Sequence, residues 1–258
     1  MIEAPAPDTP LASVFLPSPN FGNRRGPLRP DSIILHYTGM PTAESALALL
    51  RDPASEVSAH YFVWENGDIA QLVREDKRAW HAGAGSWGGQ TDLNSASLGV
   101  EIVNPGHAGG SPPFPPRQIE AVVALCREMT ARWAIRPERV LAHSDIAPAR
   151  KQDPGEAFPW DVLARAGVGH WTPAAPIVGG PLFGAAQEGP PIRALQALLA
   201  LYGYGIEMTG VYDRKTKIVV AAFQRHFRPE RVDGETDAST IATLRALVEA
   251  LNGNGARA

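Results

Sequence analysis

"SIILHYT", residues 32–38, is a short apolar run with a histidine, His36, near its end. A run of this length, rich in β-branched residues, reads as a strand buried on both faces. Two further stretches share its character. "SLGVEIVN" (97–104) is apolar except for Glu101, and "RVLAH" (139–143) ends on His143. Working outward, "SALALLRD" (45–52) predicts a helix, and "AHYFVWENGDIAQLV" (59–73) predicts a hairpin turning at Asn66-Gly67. The Gly/Pro-rich stretch 104–116 predicts a loop. It leads into a helix over 117–134, whose Ile119, Val122, Val123, Cys126, Met129 and Trp133 follow helical spacing. Strands alternating with helices, plus one hairpin, predict an α/β fold with a mixed central sheet flanked by helices.

The rest of the chain sets the organisation. Residues 1–30 are rich in proline and predict an extended N-terminal segment with no core of its own; residues 31–171 hold the α/β pattern. Residues 172–190 form a Pro/Gly/Ala-rich linker, and 191–258 predict a small unit of three helices over 191–202, 213–227 and 237–251. With 258 residues and 44% hydrophobic content there is room for one large core and a smaller second one. A formal net charge of -3 gives no electrostatic reason to expect nucleic acid. No run of about 18 apolar residues is present, so no transmembrane segment is expected. The single cysteine, Cys126, excludes an internal disulfide and falls on an apolar helix stripe. The first 22 residues lack a basic start and a long apolar stretch, which predicts a cytoplasmic protein, or a periplasmic one if an export signal has been removed. A monomer is expected.

His36 and His143 end predicted strands, at the rim of a sheet where ligands commonly bind. Asp153 stands before Pro154, which biases it towards extended backbone. Two imidazoles and one carboxylate suit a catalytic zinc site, which keeps one position open, whereas a structural site would recruit several cysteines. Each residue also has a plainer reading. A strand histidine can be a hydrogen-bonded core residue, Asp153 can cap a turn, and Glu101 can face solvent from a half-exposed strand. If Glu101 is instead buried, its unpaired carboxylate is costly.

"ILHYTG", "SAHYFVWENGDI", "AWHAG", "LGVEIVN" and "AHSDIAPARKQDPG" followed by "FPW" occur in one order along the chain. In that order they resemble the zinc N-acetylmuramoyl-L-alanine amidases of the type 2 family, in its AmpD/AmiD branch, whose fold is shared with peptidoglycan recognition proteins. The segment from "YGYGIEMTG" to "DGETDAST" resembles the small helical peptidoglycan-binding domain that follows the amidase in AmiD-like members.

The resemblance implies zinc ligands at His36, His143 and Asp153, an acidic catalytic residue at Glu101 and a catalytic lysine at Lys151. The implied reaction is hydrolysis of the amide between N-acetylmuramic acid and the L-alanine of the stem peptide, with Glu101 moving the proton of the attacking water and Lys151 stabilising the oxyanion. Asn104 and Arg150 are further candidates for substrate contact. Trp80 is expected as groove wall or core, and His81 as a support for the site or a substrate contact. His60 is expected to be structural, and His107, His170 and His226 are given no role. Peptidoglycan or muropeptide is the expected partner, with the choice between 1,6-anhydro and ordinary muramyl ends left open. The helical tail either grips substrate or packs on the amidase unit and shapes its groove. Two alternatives remain: a muropeptide receptor that does not cut, and a zinc peptidase acting within the stem peptide.

Overall fold

The computed structural model describes residues 6–26 and 29–255. In chain order its elements are β1 (Val14–Phe15), β2 (Phe21–Asn23), β3 (Ser32–Tyr37), α1 (Ala43–Arg51), β4 (Tyr61–Val63), β5 (Ile69–Gln71), β6 (Lys77–Ala79), α2 (Leu93–Ala96), β7 (Ser97–Ile102), α3 (Pro116–Trp133), β8 (Val140–Ala142), α4 (His143–Ile146), α5 (Trp160–Arg165), α6 (Pro190–Tyr202), α7 (Arg214–Phe227) and α8 (Ala238–Gly255). The main sheet has the order β1-β5-β4-β7-β3-β8. Strands β4, β7, β3 and β8 run parallel, and β5 turns back antiparallel through the hairpin at Asn66-Gly67. None of the described helices is long and apolar enough to cross a membrane.

Alternation along β3 divides the core. Ile33 and Leu35 pack with Leu98, Val100 and Ile102 of β7 against the α3 residues Ile119, Val122, Cys126 and Met129. Ile34 faces the other way, into a cluster formed with Leu141, Trp87 and the apolar stripes of α6, α7 and α8. The three C-terminal helices therefore complete the second face of the sheet around a shared core. Both faces of the central strands are dry, which is why these strands read as unbroken apolar runs.

The N-terminal segment is extended, as its prolines suggest, but it is not a free lead-in; its residues 1–5 lie outside those described. β1 joins the sheet beside β5, and β2 pairs with β6. Arg24 anchors the segment from a buried position, donating to the carbonyl oxygens of Glu75 (2.7 Å), Ser95 (2.8 Å) and Ser97 (3.0 Å). Proline leaves the carbonyl acceptors of an edge strand intact, so it does not prevent such pairing.

His60 is fully buried in the same region. Its Nδ1 accepts from the Gly99 N–H at 2.9 Å, and its Nε2 lies 3.1 Å from the Lys77 carbonyl. The ring is thus held neutral. Burial, and secondarily the charge of Arg24, lowers its pKa from 6.5 to about 3. Between those values the unfolded chain binds the extra proton, so the contribution of His60 to stability is complete above pH 6.5 and is lost as the pH falls towards 3. Replacing His60 by Gln, which can accept from Gly99 without titrating, is expected to flatten the stability–pH slope below pH 6.5 by up to about 1.4 kcal/mol per pH unit. Urea midpoints for both proteins between pH 7 and pH 4.5 test this; parallel slopes would refute it.

Candidate active site

The register of the parallel strands builds the site. His36 of β3 lies directly opposite Glu101 of β7, so both side chains leave the same face near the carboxyl ends of their strands. On the other side of β3, Leu35 pairs with Ala142, the last residue of β8. His143 opens the short helix α4 rather than ending a strand as the sequence suggested. The turn into α4 is fixed by Asp145, whose Oδ2 accepts from the Ala142 N–H at 2.8 Å. The chain then returns, and the Ser144 N–H donates to the Asp153 carbonyl at 3.0 Å, which closes the loop.

Three donor atoms converge there. His36 Nδ1, His143 Nδ1 and Asp153 Oδ2 are mutually 2.9 Å apart, and all three residues are buried. His143 Nε2 lies 3.0 Å from the Ala82 carbonyl, so the proton of that ring sits on Nε2 and Nδ1 presents a lone pair. His36 is oriented in the same way. Its Nε2 lies 3.0 Å from His81 Nδ1, the Nε2 of His81 lies 3.2 Å from Ser97 Oγ, and the Ser97 hydroxyl donates to the Leu93 carbonyl. Polarised from one end, this chain aims the lone pair of His36 at the cluster. Two lone pairs and a carboxylate oxygen brought this close repel one another unless a cation joins them.

Electrostatics follow from the burial. Burial, then the neighbouring His143, lowers the pKa of His36 to about 4, so the ring is neutral and able to ligate at ordinary pH. Burial alone would raise the Asp153 carboxyl, whereas a proton on His143 or His36 beside it would pull it far below the usual carboxylate range. Glu101 moves the opposite way. Burial first, and the charge of Asp153 second, raises its carboxyl well above the ordinary value, with Lys151 drawing it back. Its Oε2 is enclosed and has no hydrogen-bond partner. A carboxyl held in that state can exchange a proton with a ligand.

These groups open on a groove of about 570 Å³. Apolar side chains of Met40, Leu49, Val57 and Trp80 line it, together with Arg150, Lys151 and Gln152 of the ligand loop. Trp80 is half-buried wall. His81 is buried with its ring against His36, and the backbone N–H groups of His81 and Ala82 both donate to Asn94 Oδ1. Arg150 donates from Nε to the Ala84 carbonyl and from Nη2 to the Ala82 carbonyl, each at 3.1 Å, tying the ligand loop to the "AWHAG" turn. Asn104, a candidate for substrate contact, is engaged within its own loop. Its amide donates to the Pro112 carbonyl (3.0 Å) and accepts from the Gly106 N–H (2.9 Å), satisfying backbone groups that a Gly/Pro-rich loop leaves orphaned.

Other residues contribute without having stood out in the sequence. Gly99 is one: a Cβ there would sit 2.4 Å from the His81 ring, so only glycine lets that ring lie flat on β7. A glycine inside a buried strand is itself a sign of such close approach. His107 is another, bridging the Tyr37 hydroxyl and Glu156 at 3.0 Å each.

A hydrolase is the class that this arrangement defines, with metal-ligand geometry at the carboxyl ends of parallel strands and an enclosed carboxyl beside an open groove. Within that class the chain belongs to the N-acetylmuramoyl-L-alanine amidase family, whose family model matches residues 26–156. A second model, described in terms of peptidoglycan binding, matches residues 188–244. The N-acetylmuramoyl-L-alanine amidase AmiD of Escherichia coli is 44% identical over 230 residues, an alignment covering 84% of this chain and 82% of that protein. The structure of E. coli AmiD in complex with anhydro-N-acetylmuramic acid-L-Ala-D-gamma-Glu-L-Lys superimposes with a TM-score of 0.74 at 40% identity, over 88% of this chain and 93% of that one. AmpDh3 of Pseudomonas aeruginosa in complex with anhydromuramic pentapeptide gives a TM-score of 0.70 at 32% identity, over 86% and 92%.

Gly99→Ala is expected to push the His81 ring away from His36 and to weaken metal binding at the cluster by about 10–100-fold, the usual cost of losing a group that orients a ligand. Competition with a chromophoric chelator measures the loss, and circular dichroism checks that the fold persists. An unchanged metal affinity would count against the support assigned to His81.

Proposed function

We propose that this protein is a zinc-dependent amidase that hydrolyses the bond between N-acetylmuramic acid and L-alanine in muropeptides, with 1,6-anhydromuramyl peptides among its substrates. The observation that carries the reading is the convergence of His36, His143 and Asp153 on one point beside Glu101. The anhydromuramyl peptides held by the AmiD and AmpDh3 relatives support the substrate class. We assign the chemistry to residues 31–171, and since one chain supplies every residue named, a monomer suffices.

The donor set fits zinc. Two imidazole nitrogens and a carboxylate oxygen make a borderline-soft site of three protein ligands, which leaves room for substrate, and their crowded lone pairs call for a cation. His36, His143 and Asp153 would hold the ion. When bound, it supplies Lewis acidity, polarising the amide carbonyl and making water nucleophilic near neutral pH.

The protein's own groups do the rest. The Glu101 carboxylate accepts a proton from the attacking water as the new C–O bond forms, then delivers it to the L-alanine nitrogen as the C–N bond breaks. Its raised pKa suits both directions of transfer, because a strongly acidic carboxyl would accept the proton poorly. The Lys151 ammonium, on the wall of the groove, stabilises the negative charge that develops on the carbonyl oxygen. His81, Ala82 and Asn94 keep the two imidazoles in place.

Digesting a purified anhydromuramyl tripeptide and its ordinary muramyl counterpart, with mass analysis of the products, tests the reading. The expected products are free muramic sugar and an intact stem peptide with a new L-alanine amine. Activity should disappear with chelator and return with zinc. Shortened peptides, or activity indifferent to chelator, would overturn the proposal.

Substitutions divide the roles. Glu101→Gln is expected to lower kcat by about 10²–10⁴-fold while zinc affinity and melting temperature stay near those of the parent. Lys151→Met should cost about 10²–10³-fold in kcat with KM little changed. A comparable loss of zinc from either variant would assign the residue to the metal rather than to the reaction.

A further inference from the structure

Two consecutive residues of α7, Arg225 and His226, reach the ligand loop near both of its ends. The Nδ1–H of His226 donates to Asp145 Oδ2 at 2.7 Å, two residues after His143. Arg225 Nε donates to Glu156 Oε2 at 3.3 Å, three residues after Asp153. The Tyr204 hydroxyl, just beyond α6, adds a third contact by donating to Asp145 Oδ1 at 2.8 Å. Asp145 is completely buried, and two of its three donors come from residues 59 and 81 positions further along the chain. The His226 ring is itself fixed, stacked on Trp160 at 3.7 Å and on Phe227 at 3.8 Å.

We infer that Arg225, His226 and Tyr204 are positioning residues for the metal centre, so that the C-terminal helices act as a clamp on the loop carrying two of its three ligands. Plain packing between two units needs only apolar contact, and the shared core already supplies it. A buried carboxylate with three directed donors fixes orientation as well as proximity. Asp145 governs where α4 begins, since the same carboxylate holds the Ala142 N–H. α4 in turn carries His143 and, through Ser144, the Asp153 carbonyl. On the far side, Glu156 is shared between Arg225 and His107, and His107 contacts Tyr37, the neighbour of His36. Displacing the clamp therefore moves ligands relative to one another.

The inference rests on the metal-centre reading, and the experiment separates the two. In the full chain, His226→Phe keeps the ring stack but removes the donor, His226→Gln restores a donor, Tyr204→Phe removes one hydroxyl and Arg225→Gln breaks the outer contact. Zinc dissociation constants by chelator competition, melting temperatures with and without zinc, and kcat and KM on an anhydromuramyl tripeptide are then compared. His226→Phe and Tyr204→Phe are expected to weaken zinc binding by about 10–100-fold and to lower kcat with KM within about twofold, with partial recovery in His226→Gln. Arg225→Gln should show a smaller loss of the same kind. Variants that melt earlier yet bind zinc and turn over like the parent would reduce these contacts to packing and overturn the clamp. If His226→Phe does not fold, Tyr204→Phe and Arg225→Gln decide the matter. A parent that binds no zinc would instead refute the metal-centre reading.

Discussion

Parallel pairing of β7, β3 and β8 is the constraint from which the site follows. Parallel strands must all end on the same rim, so the chemistry carried near their carboxyl ends is brought together by the hydrogen-bond ladder itself. Glu101 and His36 are register partners, and His143 follows one residue beyond the last pair of β8. Only Asp153 needs a loop to bring it in, and that loop is stapled at both ends by backbone and side-chain contacts. Rigid strands supply the precision, and the loop supplies the carboxylate.

The sheet carries a concentrated electrostatic cost at this rim. Among the described residues, the buried polar groups of the core are mostly matched, as with Arg24 against three carbonyl oxygens. At the rim, three electron-rich atoms crowd together and a carboxyl oxygen of Glu101 is left unpartnered. Such local conflict marks a place selected for reactivity rather than for stability. The hydrogen-bonded row from Leu93 through Ser97 and His81 to His36 makes the conflict tolerable, because it removes the rings' freedom to turn away.

Much of this was legible in the sequence because strand burial writes itself as apolar runs. The runs at 32–38 and 97–104 located His36 and Glu101, and the Asn66-Gly67 signal placed the hairpin. The α3 stripe and the three C-terminal helices were equally plain from their spacing. Less visible were features decided by contacts far apart in the chain. Pairing of β1 with β5 depends on a sheet edge that no local pattern reveals. The hydrogen bonds that Asn104 makes to its own Gly/Pro-rich loop were not legible either, because they depend on how that loop folds back. His226 carried no local signal, since its partner lies 81 residues away.

The shared core also bears on how the protein is made. Ile34, Leu141, Trp87 and Ile146 share one buried cluster with side chains of α6, α7 and α8, which are synthesised only after residue 190. Until the tail is translated that cluster lacks its C-terminal half, and apolar side chains left uncovered in this way favour self-association. A chain cut before α6 would leave these four side chains without the partners that they have in the full fold.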